Sequence, residues 1–119
     1  MRVMMFVIHQ KDFEKPEDWM PSQEAISDMM KFNDEMKAAG VLADLNGCFA
    51  PAQAVRVTHA GGKTSVKTGH AQSDGEVVGG YWTLKVNSLE EAAEWAKKAP
   101  MSHDCVIEIR QVYDMEANS

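Results

Sequence analysis

Val3-Met4-Met5-Phe6-Val7-Ile8 is an unbroken apolar run, closed by His9 and followed by the polar residues Gln10, Lys11 and Asp12. The run is too short for a typical helix and lacks polar alternation, so Arg2 to His9 reads as a central strand covered on both faces. It is equally too short for a signal peptide or a membrane span. The next segment, residues 10 to 21, mixes charges with Pro16 and Pro21 and has no period. It is expected to be a long loop, a lid or the mouth of a site.

Beyond it the period changes to that of a helix. Ala25, Met29, Phe32, Met36 and Ala39 form an apolar stripe, which Ile26 and Met30 widen, and charged residues take the other side. Ser22 is the expected N-cap and Gly40 the left-handed stop, giving a helix over about 22 to 39. Val41-Leu42 and Gly47-Cys48-Phe49 then read as an extended stretch ending at Pro51. Ala54 to Ala60 and Lys63 to Thr68 flank Gly61-Gly62, a two-residue hairpin signal that sets Arg56 opposite Lys67 and Val57 opposite Val66. Gly79 to Val86 is a further strand, with Trp82, Leu84 and Val86 on one face and Tyr81, Thr83 and Lys85 on the other. Ser88-Leu89-Glu90-Glu91 is a capping box opening a second helix. Its stripe is Leu89, Ala92, Ala93, Ala96 and Ala99, it carries a Glu94–Lys98 pair, and Pro100 stops it. Cys105 to Tyr113 reads as the closing strand.

Two β-α-β units in this order predict an α+β, ferredoxin-like sandwich with an inserted β-hairpin. Residues 1–114 form one domain and 115–119 a loose tail. Right-handed crossovers place both helices on one sheet face. Met, Phe and Ile of the first strand, with Tyr81, then leave a second apolar face that a homodimer packing sheet to sheet would cover.

The chain has 119 residues, 45% of them apolar and 25% charged, which suits one globular domain and leaves no room for a second core. Twelve Lys+Arg against eighteen Asp+Glu give a net charge of −6. That balance argues against direct nucleic-acid binding, which needs clustered cations. Two cysteines, Cys48 and Cys105, are too few for a disulfide framework, and the cytoplasm is the simplest setting. The four histidines have no metal-ligand spacing, so neither metal nor cofactor is expected.

The opening Met-Met-Phe-Val-Ile, Met20-Pro21 before the helix and Ala39-Gly40-Val41-Leu42 at its end belong to a longer pattern. It continues with Gly75-Glu76-Val77-Val78-Gly79-Gly80-Tyr81-Trp82, Leu89 to Ala96, and Val106-Ile107-Glu108-Ile109-Arg110. In order and spacing these resemble the YCII-related proteins, in the DGPF-domain branch. The resemblance implies a dimeric α/β-barrel type of ferredoxin-like fold. It also implies that some members are small lyases or dehydrochlorinases using a His and an Asp, and that the branch occurs beside sigma factors. Two departures stand out. The signature Asp-Gly-Pro-Phe reads Thr68-Gly69-His70-Ala71, and Ser22-Gln23-Glu24 stand where some members carry a histidine.

The candidate acid/base residues are therefore this chain's own. His9 ends the first strand beside the long loop. His70 lies at a glycine-flanked corner, with Asp74 or Glu76 available to orient it. Arg56 and Lys67 form a like-charge cross-strand pair in a segment with no acid, suited to a small anionic ligand or a partner's carboxylates. Tyr81 on the second face, and Glu108 and Arg110 on one face of the last strand, complete the ligand-binding set, the last two as an ion pair. Gly79-Gly80 precedes a strand, not a helix, so it marks close backbone approach and not a phosphate loop. Two functional classes follow. One is a cavity protein for a small organic molecule, with cofactor-independent lyase or hydrolase chemistry. The other is a non-enzymatic interaction module, such as a sigma-factor accessory.

Overall fold

The computed structural model describes residues 1–9, 21–49, 53–69, 77–101 and 104–113. Its elements are β1 (Arg2–His9), α1 (Gln23–Ala38), β2 (Leu42–Gly47), β3 (Val55–Ala60), β4 (Lys63–Thr68), β5 (Val77–Lys85), α2 (Leu89–Lys98) and β6 (Cys105–Gln111). Four strands form one antiparallel sheet in the order β2-β5-β1-β6, and β3 and β4 form a separate two-stranded sheet. The four-stranded order, with two intervening helices, is that of a ferredoxin-like α+β fold with a hairpin inserted between β2 and β5. The expected central strand is central, flanked by β5 and β6.

Alternation along β1 assigns the two faces. Val3 and Met5 are buried on the helix side with Trp82 and Leu84 of β5, their cross-strand partners. Phe32, Met36, Val41, Val86 and Ala92 complete that core. Met4 and Phe6 lie on the opposite face beside Thr83 and Tyr81 of β5 and Arg110 and Glu108 of β6. The middle strand is thus apolar on both sides.

Helix α1 begins where its sequence says it should. The Ser22 hydroxyl accepts a hydrogen bond from the Ala25 amide at 3.1 Å, and Gly40 holds φ +76° just past the end, where a side chain would be strained. The stripe, however, is buried only in its second half, at Phe32 and Met36. Ala25 and Met29 are half-buried, and Ile26 and Met30, expected to widen the buried stripe, are exposed at 38% and 60%. The first half of α1 stands over an opening instead of closing on the sheet.

In α2 the Ser88 hydroxyl caps the Glu91 amide at 3.1 Å, while the Glu91 carboxylate reaches back to the Asn87 amide at 2.8 Å. Two departures from the expected stripe appear: Leu89 is exposed, and Trp95 joins the partly buried residues packed on the core. In place of the expected Glu94–Lys98 ion pair, Lys97 donates to Glu94 at 2.9 Å, and the Lys98 ammonium sits 4.9 Å over the Trp95 ring. Among the described residues, no helix is long and apolar enough to cross a membrane.

The hairpin follows its expected register, with Arg56 opposite Lys67 and Val57 opposite Val66. Gly61 and Gly62 hold φ +58° and +75°, the positive pair that a tight primed turn needs. At its base the Gly69 amide donates to the Ala54 carbonyl at 2.6 Å, with φ +84° at Gly69. A side chain would be strained at that φ, so the corner suits glycine.

Candidate functional site

The space beneath the first half of α1 is a cavity of about 330 Å³. Helix α1 contributes Ala25, Ile26, Met29, Met30 and Asn33 to its walls, and the sheet contributes Val7, His9, Leu45, Gly80 and Trp82. Pro21 precedes the helix at one side, and Pro100 and Met101, after α2, close another. At interior packing density the cavity has room for roughly a dozen non-hydrogen atoms, the lower end of small-molecule sites.

His9 is 6% exposed and lies on the helix side of the sheet with Val3, Met5 and Val7. What seats it is a bulge. Val7 pairs with Gly80 and Ile8 with Val78, so Gly79 is the extra residue of β5. A bulge bends the strand and re-aims side chains. The His9 ring fills the room that glycine leaves: a Cβ built on Gly79 would fall 2.6 Å from His9 Cδ2 and nearer still to Nε2. Gly80 serves a different approach, since a Cβ there would meet the Asn46 carbonyl oxygen at 2.8 Å and the Gly47 Cα at 3.1 Å. The two glycines therefore do what close backbone approach predicts, one for a ring and one for a strand. On the far side of β1, Cys105 is the register partner of His9. Burial, and then the Asp104 carboxylate, push its thiol pKa up, which makes it a poor nucleophile.

Asn33 is the residue that pattern reading passed over. It stands four residues after Met29 and three before Met36, a polar interruption of the apolar stripe. Its Oδ1 accepts from the Trp82 indole nitrogen at 2.9 Å. Phe32 meets the same indole edge-on, with centroids 5.7 Å apart, so the cavity's inner wall is fixed by both a hydrogen bond and an aromatic contact.

The other proposed residues separate from this place. Tyr81 is a wall residue of the cavity, yet its hydroxyl belongs to a polar group with β2, accepting from Asn46 at 2.9 Å and donating to Asp44 at 3.2 Å. Glu108 and Arg110 are exposed on the sheet face away from the helices. Both are described residues, and no ion pair joins them. Arg56 and Lys67 are exposed on the hairpin, and neither lines the cavity. His70 and Asp74, with Glu76, lie outside the described residues, as do His103 and the 10–20 segment expected as a lid. His59 is exposed on β3. Cys48 is exposed too; its amide donates to the Gly79 carbonyl at 2.9 Å. Among the described residues no cluster of three or more His, Cys, Asp or Glu could hold a metal ion. None of the described cavity residues is Lys or Arg.

The arrangement can hold an uncharged group against methionine, isoleucine and tryptophan surfaces, with His9 in the wall. Comparison with curated proteins returns no match. The model of the YCII-related domain matches residues 1–116, and the chain accordingly belongs to the YCII-related family.

Proposed function

We propose that this protein binds a small, largely apolar organic molecule under the first half of α1, with His9 as the group that orients it and exchanges a proton with it. The observation that carries the reading is the seating of His9: a histidine walled from water, held over Gly79, at the side of a cavity of about 330 Å³. An imidazole titrates nearest neutrality of all side chains, so it can serve as acid or base without a cofactor. That chemistry fits the lyase or hydrolase class, with His9 acting on a C–H or O–H of the ligand. The methionine, isoleucine and tryptophan surfaces of the described walls favour a largely apolar ligand. The Trp82–Asn33 bond holds the opposite wall rigid, which supports a preformed site.

The reading includes a homodimer. Met4 and Phe6 face away from the helices, with Val78 and Val106 exposed on the same side, and a second copy packing on that face would cover them. The rival reading, a non-enzymatic interaction module, draws its support from the exposed hairpin.

Native mass spectrometry of the purified protein tests the cavity. A bound species of small mass, lost in His9→Ala and in Ala25→Phe, is the expected result. A species that both variants retain at full occupancy overturns the site.

A further inference from the structure

The hairpin is a ribbon with two unlike faces. Val55, Val57 and Val66 lie on one, exposed at 64%, 57% and 69%, and Arg56, Lys63 and Lys67 lie on the other. An isolated two-stranded hairpin is marginal in water, and three valines exposed side by side need a cover. The ribbon carries three bases and no acid, leaving nine bases against eighteen acids on the rest of the chain.

A surface of matching character lies on the same chain. Strand β6 is an edge of the main sheet. On the face away from the helices, Val106 and Glu108 stand at alternate positions, and Asp104 immediately precedes the strand; all three are exposed. This ridge is an apolar residue between two carboxylates, and the ribbon carries valines on one face and cations on the other. Val78, also exposed, faces the same side two strands away.

We propose that the hairpin is an arm that grips a second copy of this chain, its valines on the partner's Val106 ridge, with Arg56 and Lys67 reaching Asp104 and Glu108 around the narrow ribbon. Long basic stems can lie along an apolar contact and keep their charged ends at its rim. The inference deepens the homodimer reading and rests on it. In a twofold dimer each arm meets the other body, so every contact counts twice. A six-residue ribbon about 20 Å long offers on the order of 200 Å² per face. Two arms and the surfaces they cover then amount to roughly half of a standard interface, the open sheet face supplying the rest. The like-charge pair Arg56–Lys67, costly by itself, becomes a recognition element.

Charge exchange tests the arm. Sedimentation over a dilution series is expected to give a dimer for the unmodified protein. The variant R56E/K67E should weaken it by about tenfold, and D104K/E108K by a similar factor. Carrying all four changes in one chain should restore it. These residues are exposed, and unchanged circular dichroism verifies that each variant folds. If the reversals leave the dimer unaltered, or the fourfold variant fails to recover, the arm contact is wrong while sheet pairing stands. A monomer for the unmodified protein overturns both.

Discussion

The His9 ring occupies the volume that a side chain at residue 79 would need, so Gly79 and His9 are two halves of one fitted contact across β5 and β1. Gly79→Ala must displace the ring or shift the bulge, at a cost of about 2 kcal/mol. Adding His9→Ala should recover part of that loss, giving a coupling of about 1 kcal/mol in a double-mutant cycle of denaturant midpoints. Strictly additive losses would mean the ring does not sit there.

Gly80 provides the contrast. Its obstacle is backbone, the Asn46 carbonyl oxygen at 2.8 Å, and no side-chain deletion makes room for a methyl. Gly80→Ala should destabilise the fold by about 2 kcal/mol or more, with no relief from His9→Ala.

The pairing of Trp82 with Asn33 makes a third case. Asn33→Leu leaves an indole N–H without its acceptor in a part-buried position, a loss of about 1–3 kcal/mol. Trp82→Phe in the Asn33→Leu chain removes the stranded donor and should cost less than the sum of the two single changes. Urea titration followed by near-ultraviolet circular dichroism measures both.

These contacts mark where the sequence was readable and where it was not. The apolar run of β1, the Ser22 and Ser88 caps and the Gly61-Gly62 turn are local signals, and each element formed within a few residues of its expected bounds. The stripe of α1 was legible as a helix face. Its period could not reveal that Ala25 and Met29 overlie a cavity while Phe32 and Met36 seal the core, because that depends on how the helix sits on the sheet. His9 could be picked out as a polar end to an apolar strand. Its seat depends on a bulge that skips Gly79, a property of strand pairing and not of either strand alone. Asn33 needed the opposite inference, that a polar residue inside a buried stripe must have a buried donor to meet.

The two thiols should differ in chemistry. Cys48 is exposed, whereas burial and the Asp104 carboxylate raise the pKa of Cys105. Iodoacetamide at mildly alkaline pH should modify Cys48 first, with Cys105 lagging and accelerating only at higher pH. The sign for stability follows. A folded thiol harder to ionise than the unfolded one contributes stability that is complete below the unfolded pKa and is lost as pH rises through the folded value. Equal alkylation rates, or Cys105 reacting first, would contradict the burial assigned to it.

Filling the cavity separates binding from folding. Ala25 lines it from the first turn of α1 and is half-buried, so a phenylalanine there can enter space that no described side chain uses. The intrinsic helix preference lost is small, about half a kcal/mol, and new apolar burial of this size offsets it. Ala25→Phe should therefore unfold within a few degrees of the unmodified protein and yet exclude the ligand. His9→Ala should also lose the ligand, but by removing a polar contact while leaving the volume open. A small neutral aromatic probe such as phenol, titrated by calorimetry, distinguishes the two: the filled cavity refuses it, and the enlarged one admits it with weakened affinity. Equal binding by both variants would place the probe elsewhere on the protein.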